Sequence, residues 1–158
     1  MSREIRLVAM EGIPVVAPGD DLAALHQQAA SRCGVSLRDG VLAVCQKIVS
    51  KAEGRVVPLA GVKPSPEARA IASEEDKDPR QVELVLRESR RIVRRGHGVL
   101  IAETHQGFVC ANAGVDLSNA PGPEIAVLLP EDPDASARRL REGLTALGAG
   151  PLAVIVTD

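Results

Sequence analysis

Val41-Leu-Ala-Val-Cys45 is a short run of apolar residues that directly follows the turn Asp39-Gly40. A run of this length, bounded by turn residues, is typical of a buried strand. The stretch Pro151-Leu-Ala-Val-Ile-Val-Thr-Asp158 has the same character. Because helices are predicted between these two strands, we expect an α/β or α+β fold.

Capping residues and helical spacing predict the helices. Asp20 and Asp21 are suitable N-cap residues for a helix that runs to about Arg32. Pro79 after the N-cap Asp78 is a favourable first helical position. The apolar face of the first helix is expected to consist of Leu22, Leu25, Ala29 and Cys33. Further helices are expected over about residues 67–72, from residue 79 onward, and over about 133–147. The expected strands are Glu4–Met10, Val41–Cys45, Ile92–Val93, Gly98–Ala102, Phe108–Cys110 and Pro151–Asp158.

The composition argues against a nucleic-acid-binding protein. The 158 residues are 45% hydrophobic and 25% charged, as in an average folded domain. The formal net charge is −2, which gives no general electrostatic attraction to phosphate backbones. The chain has no Trp, no Tyr and one Phe, so platforms for base stacking are missing. We therefore expect no nucleic-acid partner.

The cysteines and the absence of long apolar runs indicate a cytoplasmic protein. Cys33, Cys45 and Cys110 are odd in number and widely spaced, which excludes a disulfide framework and the usual zinc spacings. We expect them to be buried or half-buried side chains in a reducing compartment. No apolar run reaches the ~18–20 residues of a membrane span, and no secretory leader is recognisable.

The loop Gly12-Ile13-Pro14-Val15 follows the first predicted strand. A tight loop of this kind at the end of a strand can present backbone N–H groups to an anion. Loops with Gly and Pro also occur as plain turns. The residues alone leave both interpretations open.

The segment Gln46-Lys-Ile-Val-Ser-Lys51 is a second candidate for phosphate binding. If it continued as a strand, Lys47 and Lys51 would lie on one side. Two ammonium groups on one side attract a polyphosphate, although such lysines also occur on plain solvated faces. The segment lacks the G-x-x-x-x-G-K-[ST] pattern, so it is not a P-loop.

Oxygen-bearing side chains cluster between Asn112 and Asn119 and at the last residue of the chain. Asp116 in this loop can ligate a hard cation, and its Asn side chains can fix a base or ribose; ordinary turn chemistry is the alternative. Asp158 follows an apolar strand, where ligands collect in open α/β sheets. If Asp116 and Asp158 come together, they suit Mg²⁺ or Mn²⁺.

Taken together and in this order, several segments resemble the coenzyme F420-0:gamma-glutamyl ligase family over nearly the whole chain. The two most specific segments are Gln46-Lys-Ile-Val-Ser-Lys-Ala-Glu-Gly54 and Gly107-Phe-Val-Cys-Ala-Asn-Ala-Gly-Val-Asp116, the latter followed by Ser118-Asn119. Supporting segments are Gly12-Ile-Pro-Val15, Pro18-Gly-Asp-Asp21, Lys77-Asp-Pro79 and Leu129-Pro-Glu-Asp-Pro-Asp-Ala-Ser-Ala137. The resemblance implies a mixed sheet with flanking helices, as the N-terminal portion of a larger two-part chain.

The resemblance also implies an activity and a set of site residues. Enzymes of this family use GTP, Mg²⁺ or Mn²⁺, and K⁺ to add L-glutamate to the lactyl carboxylate of coenzyme F420-0, and they form intertwined homodimers. By motif match, Lys51 and Asp116 would be catalytic, and Asp116 and Asp158 would bind the metal. The residues expected to contact GTP are Gly12, Ile13, Pro14, Val15, Gln46, Lys51 and Asn119.

One departure from the family pattern concerns the strand that leads to Asp158. In the family this strand continues into a T-x-G-R segment and about a hundred further residues that complete the site. We therefore expect residues 1–158 to be a fragment or a natural split protein that is inactive alone. Two alternatives remain: a non-catalytic nucleotide-binding or dimerisation module, and an amide ligase with another carboxylate acceptor.

Overall fold

The computed structural model describes residues 4–117 and 124–157. These residues form two compact units: residues 1–53 together with 133–158, and residues 54–132. Helices and strands are mixed, which confirms the α/β class. The helices are α1 Leu22–Arg32, α2 Gln46–Ala52, α3 Pro66–Glu75, α4 Pro79–Arg87 and α5 Pro133–Ala146. The strands are β1 Gly40–Cys45, β2 Val56–Pro58, β3 Ser89–Gly96, β4 Val99–Thr104, β5 Val109–Ala111, β6 Ile125–Val127 and β7 Leu152–Thr157.

The first unit is built on a parallel pair of strands, β1 and β7, in a register that runs from Gly40 opposite Leu152 to Cys45 opposite Thr157. One face of this pair packs against apolar side chains of the helices α1 and α5. Val44 and Leu144 in this core are 2% and 0% exposed. The alternating burial pattern of β1 leaves its opposite face exposed, so the expected buried strand is buried on one face only. β7, which was also expected to be buried, alternates between half-buried and exposed residues.

Helix α1 begins and ends as the sequence predicts, but its buried face shares only Ala29 with the predicted one. The carboxylate of Asp21 accepts a hydrogen bond from the N–H of Ala24 (3.0 Å) and caps the helix. The buried residues of α1 are Ala23, His26, Ala29 and Ala30. Small side chains fit here because α5 approaches closely: a Cβ on Gly143 would lie 2.7 Å from the Cβ of Ala23. Cys33 lies outside this face and is exposed, as is Cys45, so both were wrongly expected to be buried or half-buried.

The predicted strand Glu4–Met10 is wrong within the described residues. This segment has no regular secondary structure, and Ile5 and Leu7 are 90% and 93% exposed. A strand requires a neighbouring strand for its backbone hydrogen bonds, which this segment lacks in the described part of the chain. An alternating pattern of apolar residues is therefore not sufficient to predict a paired β-strand.

The second unit combines the helices α3 and α4 with an antiparallel sheet of strand order β3-β4-β5. Its core includes Val82, Val85, Leu100 and Ala102, each 0% exposed. A second ladder pairs β2 with β6 in antiparallel orientation. Neither of these two strands was predicted, because their pairing joins segments that are distant in sequence. None of the helices within residues 4–117 and 124–157 is long and apolar enough to cross a membrane.

Glu83 on α4 connects that helix to the beginning of α3. One of its carboxylate oxygens accepts a hydrogen bond from the backbone N–H of Ser65 (2.8 Å), and the other accepts one from the guanidinium of Arg87 (2.8 Å). The hydrogen bond from Ser65 is the main reason why the pKa of Glu83 is lowered from 4.5 to about 2. Ser65 is also the N-cap of α3, so this carboxylate fixes the beginning of α3 against α4.

We predict that Glu83→Gln destabilises the protein at pH 7 by about 2 kcal/mol, because a charged acceptor of two hydrogen bonds is lost. The low pKa of Glu83 in the folded state means that its stabilisation is complete above about pH 4.5 and is lost as the pH falls toward 2. The difference in unfolding free energy between variant and wild type should therefore shrink below pH 4.5.

Urea unfolding followed by circular dichroism measures this difference, since the chain has no Trp or Tyr for fluorescence. The control is Glu74→Gln, which removes an exposed ion pair with Arg95 (2.9 Å) and should cost less than about 0.5 kcal/mol. Equal losses in the two variants, or a pH-independent loss in Glu83→Gln, would contradict the assigned role.

Candidate functional site

The loop Gly12–Val15 is an irregular segment that α1 holds in place. Gly12 has a φ of +82°, which favours glycine, and its carbonyl accepts a hydrogen bond from the guanidinium of Arg32 (2.7 Å). The next residue after the loop, Val16, is 5% exposed, whereas Val15 is 87% exposed. The loop is thus anchored on both sides while part of it faces solvent, which is compatible with ligand binding. Contact with GTP stays a prediction.

The segment from Gln46 to Lys51 is helical and belongs to α2, so the hypothesis that it continues as a strand is wrong. Lys47 and Lys51 still lie on one face, because residues four apart in a helix are neighbours. Gln46 is 6% exposed, and its side-chain oxygen accepts a hydrogen bond from the hydroxyl of Ser50 (2.9 Å). The structure therefore places Gln46 in the interior of the unit and both lysines at intermediate exposure.

Helix α2 begins directly at the carboxyl end of β1, and Cys45 pairs with Thr157 of β7. The carboxyl ends of both strands therefore lie at one edge of the sheet, beside Gln46. Ligands in α/β proteins bind at such edges, which supports the choice of this region. The predicted metal ligand Asp158 lies outside the described residues.

In the second unit, β5 leads into a left-handed turn of three consecutive residues. Asn112, Ala113 and Gly114 have φ values of +51°, +51° and +73°. For residues other than glycine this conformation costs roughly 1–2 kcal/mol each. Ala113 is 1% exposed in the core, and a Cβ on Gly114 would come within 2.5–2.8 Å of the Leu129 side chain. Packing therefore holds a turn that the local backbone disfavours, as occurs at functional sites.

Asp116 follows this turn and is fixed by its own backbone. Its N–H donates to the carbonyl of Val127 (2.9 Å), and its carbonyl accepts from the N–H of Val127 (2.8 Å). The Oδ2 atom of Asp116 and the Oδ1 atom of Asn112 are both buried. The predicted residues Ser118 and Asn119 lie outside the described residues, so the pairing of Asp116 with Asp158 and the role of Asn119 stay predictions.

Buried side-chain oxygens suit a hard divalent cation such as Mg²⁺ or Mn²⁺. Within residues 4–117 and 124–157, no three His, Cys, Asp or Glu side chains form a group that could hold a metal. Among the described residues, a cation at Asp116 would therefore need oxygen ligands of other types. The buried amide oxygen of Asn112 fits this requirement by its chemistry.

Two features of the first unit escaped the sequence reasoning. Arg32 anchors the Gly12 loop, and its only sequence signal is a basic residue in the last turn of α1. A cavity of about 230 Å³ lies between the start of α1, the end of α2 and the middle of α5. It contains Glu53, which accepts hydrogen bonds from Ser136 (2.5 Å) and Arg139 (2.6 Å). None of the predicted GTP-binding residues in the described part of the chain lines this cavity.

The model of the family described as F420-0:Gamma-glutamyl ligase matches residues 12–158. The chain belongs to this family. It is 46% identical over 155 residues to a protein of Methanothermobacter thermautotrophicus named Coenzyme F420:L-glutamate ligase, an alignment that covers 98% of the chain and 61% of the relative. Proteins with the same name from Methanopyrus kandleri and Archaeoglobus fulgidus are 48% and 40% identical, over 94% and 98% of the chain.

These relatives are longer than the chain, which spans about three fifths of their length. The match includes the Gly12–Val15 loop, helix α2 and the turn that leads to Asp116. The family membership therefore covers the described candidate residues in both units.

We predict that Gly114→Ala destabilises the protein by about 3 kcal/mol, because the new methyl group collides with Leu129 and the positive φ is strained. Gly107→Ala is the matched control: Gly107 also has a positive φ, +93°, but a Cβ there meets nothing within 4 Å. Its cost should be limited to backbone strain of about 1–2 kcal/mol. Urea unfolding of both variants measures the difference, and equal costs would show that the contact with Leu129 is unimportant.

Proposed function

We propose that this chain is the GTP- and metal-binding portion of an enzyme that joins L-glutamate to the lactyl carboxylate of coenzyme F420-0. The observation that carries the proposal is the family match over residues 12–158. The relatives' printed name, Coenzyme F420:L-glutamate ligase, supports the reaction type and the two substrates.

The reaction requires an activated carboxylate, because oxide is a poor leaving group for attack by an amine. In the proposed first step, a carboxylate oxygen of the acceptor attacks the γ-phosphorus of GTP, and the bond to the GDP oxygen breaks. The amino group of glutamate then attacks the carbonyl carbon of the acyl phosphate. Inorganic phosphate leaves and the amine loses a proton, which gives the amide.

Phosphoryl transfer depends mainly on positioning and on neutralisation of charge. In our proposal, Lys51 and the backbone of the Gly12–Val15 loop hold the phosphates, and Gln46 and Asn119 contact the nucleotide. Lys47, on the same helix face as Lys51, adds positive charge there. The anchoring of the loop by Arg32 (2.7 Å) and the burial of Gln46 (6% exposed) support a preformed site.

Mg²⁺ or Mn²⁺ is the proposed divalent cofactor, with K⁺ as a monovalent one. Asp116 and Asp158 would hold the divalent ion, which neutralises phosphate charge when it is bound. Two backbone hydrogen bonds between Asp116 and Val127 (2.8 and 2.9 Å) fix the backbone position of Asp116.

The chain is further proposed to act as a homodimer in the cytoplasm and to need the remaining part of the family's chain. About two fifths of the relative's length lies outside the alignment, and we infer that this additional part completes the catalytic site. The two alternatives are a nucleotide-binding or dimerisation module without catalysis and a ligase for another carboxylate.

We predict that Lys51→Ala weakens GTP binding in the presence of Mg²⁺ at least tenfold, because a charge-assisted phosphate contact contributes about 1.5–3 kcal/mol. Isothermal titration calorimetry measures the dissociation constant, with ATP as the comparison ligand. Lys63→Ala, at an exposed position of the second unit, is the control and should bind GTP normally. Unchanged binding in Lys51→Ala would refute the role of Lys51, and no GTP binding by the wild type would refute the nucleotide site.

We also predict that residues 1–158 alone do not ligate glutamate to coenzyme F420-0. The assay is mass-spectrometric detection of the glutamylated product after incubation with GTP, Mg²⁺ and K⁺. Addition of the part of the Methanothermobacter relative that the alignment leaves uncovered should restore the product. Ligation by the 158-residue chain alone would disprove the proposed dependence, while no restoration would favour the non-catalytic module.

A further inference from the structure

The left-handed turn at Asn112 buries the side-chain oxygen of this residue without a hydrogen-bond donor in the described chain. The Oδ1 atom of Asn112 is buried and accepts no hydrogen bond from any residue in 4–117 or 124–157. A buried acceptor without a donor loses its interaction with water and gains nothing in return. In the left-handed conformation, an Asn side chain can form local hydrogen bonds with the backbone. Asn112 departs from that pattern.

We propose that Oδ1 of Asn112 is an oxygen ligand of the divalent cation at Asp116. This inference rests on the proposed function, in which Asp116 binds Mg²⁺ or Mn²⁺, and it adds a ligand from the same turn. A neutral amide oxygen is a suitable ligand for such hard cations. The ion would supply the positive partner that the buried oxygen lacks in the described chain.

The turn is constructed so that Asn112 and Asp116 are fixed relative to the same backbone. The N–H of Val115 donates to the carbonyl of Asn112 (2.9 Å) and closes the turn. Asp116, the next residue, is pinned to Val127 by two backbone hydrogen bonds. Burial of Ala113 and the tight fit of Gly114 prevent the turn from relaxing into a less strained conformation. Preorganised oxygen ligands are what binding of a small ion requires.

The competing explanation is conformational: Asn is tolerated at positive φ better than most residues. That explanation makes a different prediction for glycine, which adopts this conformation without strain. Asn112→Gly should then preserve every property of the protein. If Oδ1 is a metal ligand, the same variant should keep the fold and lose affinity for the ion.

The test is titration of the 158-residue chain with Mn²⁺ alone, followed by the electron paramagnetic resonance signal of free Mn²⁺. We expect Asn112→Gly to weaken Mn²⁺ binding at least tenfold while its unfolding midpoint in urea is unchanged or higher. Asn112→Asp keeps an oxygen at the position and should bind Mn²⁺ within threefold of the wild type or more tightly. Asp76→Gly is the matched control, because Asp76 has the same φ of +51° in the same unit and is exposed; its affinity should be unchanged.

The outcomes separate this inference from the proposed function. If Asp116→Asn weakens Mn²⁺ binding and Asn112→Gly does not, the role of Asn112 is overturned and the proposed function is unaffected. If the wild type binds no Mn²⁺, or Asp116→Asn binds it normally, both the metal role of Asp116 and this inference fail. A loss of affinity in Asn112→Asp despite an intact circular dichroism spectrum would also overturn the inference.

Discussion

The parallel ladder between β1 and β7 is the constraint on which the organisation of the chain depends. It joins Gly40–Cys45 to Leu152–Thr157, segments about 110 residues apart in sequence. A parallel pair cannot be closed by a hairpin and needs a crossover connection. Here that connection includes α2, the entire second unit and α5. The second unit is therefore an insertion between two parts of the first.

In this topology, the two units differ in how far apart in sequence their core contacts lie. The core of the first unit forms only when α1 and α5, far apart in sequence, pack on the same face of β1 and β7. The second unit is continuous in sequence, and its β3-β4-β5 sheet is built from neighbouring hairpins. Contacts that are local in sequence form at a smaller loop-closure cost. We therefore expect the second unit to gain its native contacts before the ladder between β1 and β7 closes.

Features that depend on neighbouring residues were predictable from the sequence. Asp21 and Asp78 cap their helices as expected, because the N-cap interaction is made within a single turn. The strands β2 and β6 were missed, since their pairing of Val56 with Val127 joins distant segments. The segment Glu4–Met10 shows the opposite error: its apolar residues alternate, but the part of the chain that the structure describes has no strand that pairs with it.

The motifs of the candidate site are visible in the sequence, but the conformation of the turn that leads to Asp116 is not. The motif leading to Asp116 is visible in the sequence, yet nothing local requires Ala113 to adopt a φ of +51°. Alanine disfavours that region, so the turn exists because packing of Ala113 and Gly114 against the core outweighs the strain. Similarly, Lys47 and Lys51 were expected to share one side of a strand, whereas they share one face of the helix α2.

The scarcity of aromatic residues would restrict how the proposed nucleotide site recognises a base. Phe108 is the single aromatic residue, and it is 55% exposed beside β5. Its backbone is tied to Thr104, whose N–H donates to the Phe108 carbonyl (2.8 Å). Proteins often hold a base by stacking it on an aromatic side chain, whatever the base's identity. In this chain only the ring of Phe108 could provide such stacking. A guanine bound by these residues would therefore depend on hydrogen bonds from backbone and amide groups, which discriminate bases by their edges rather than by their faces.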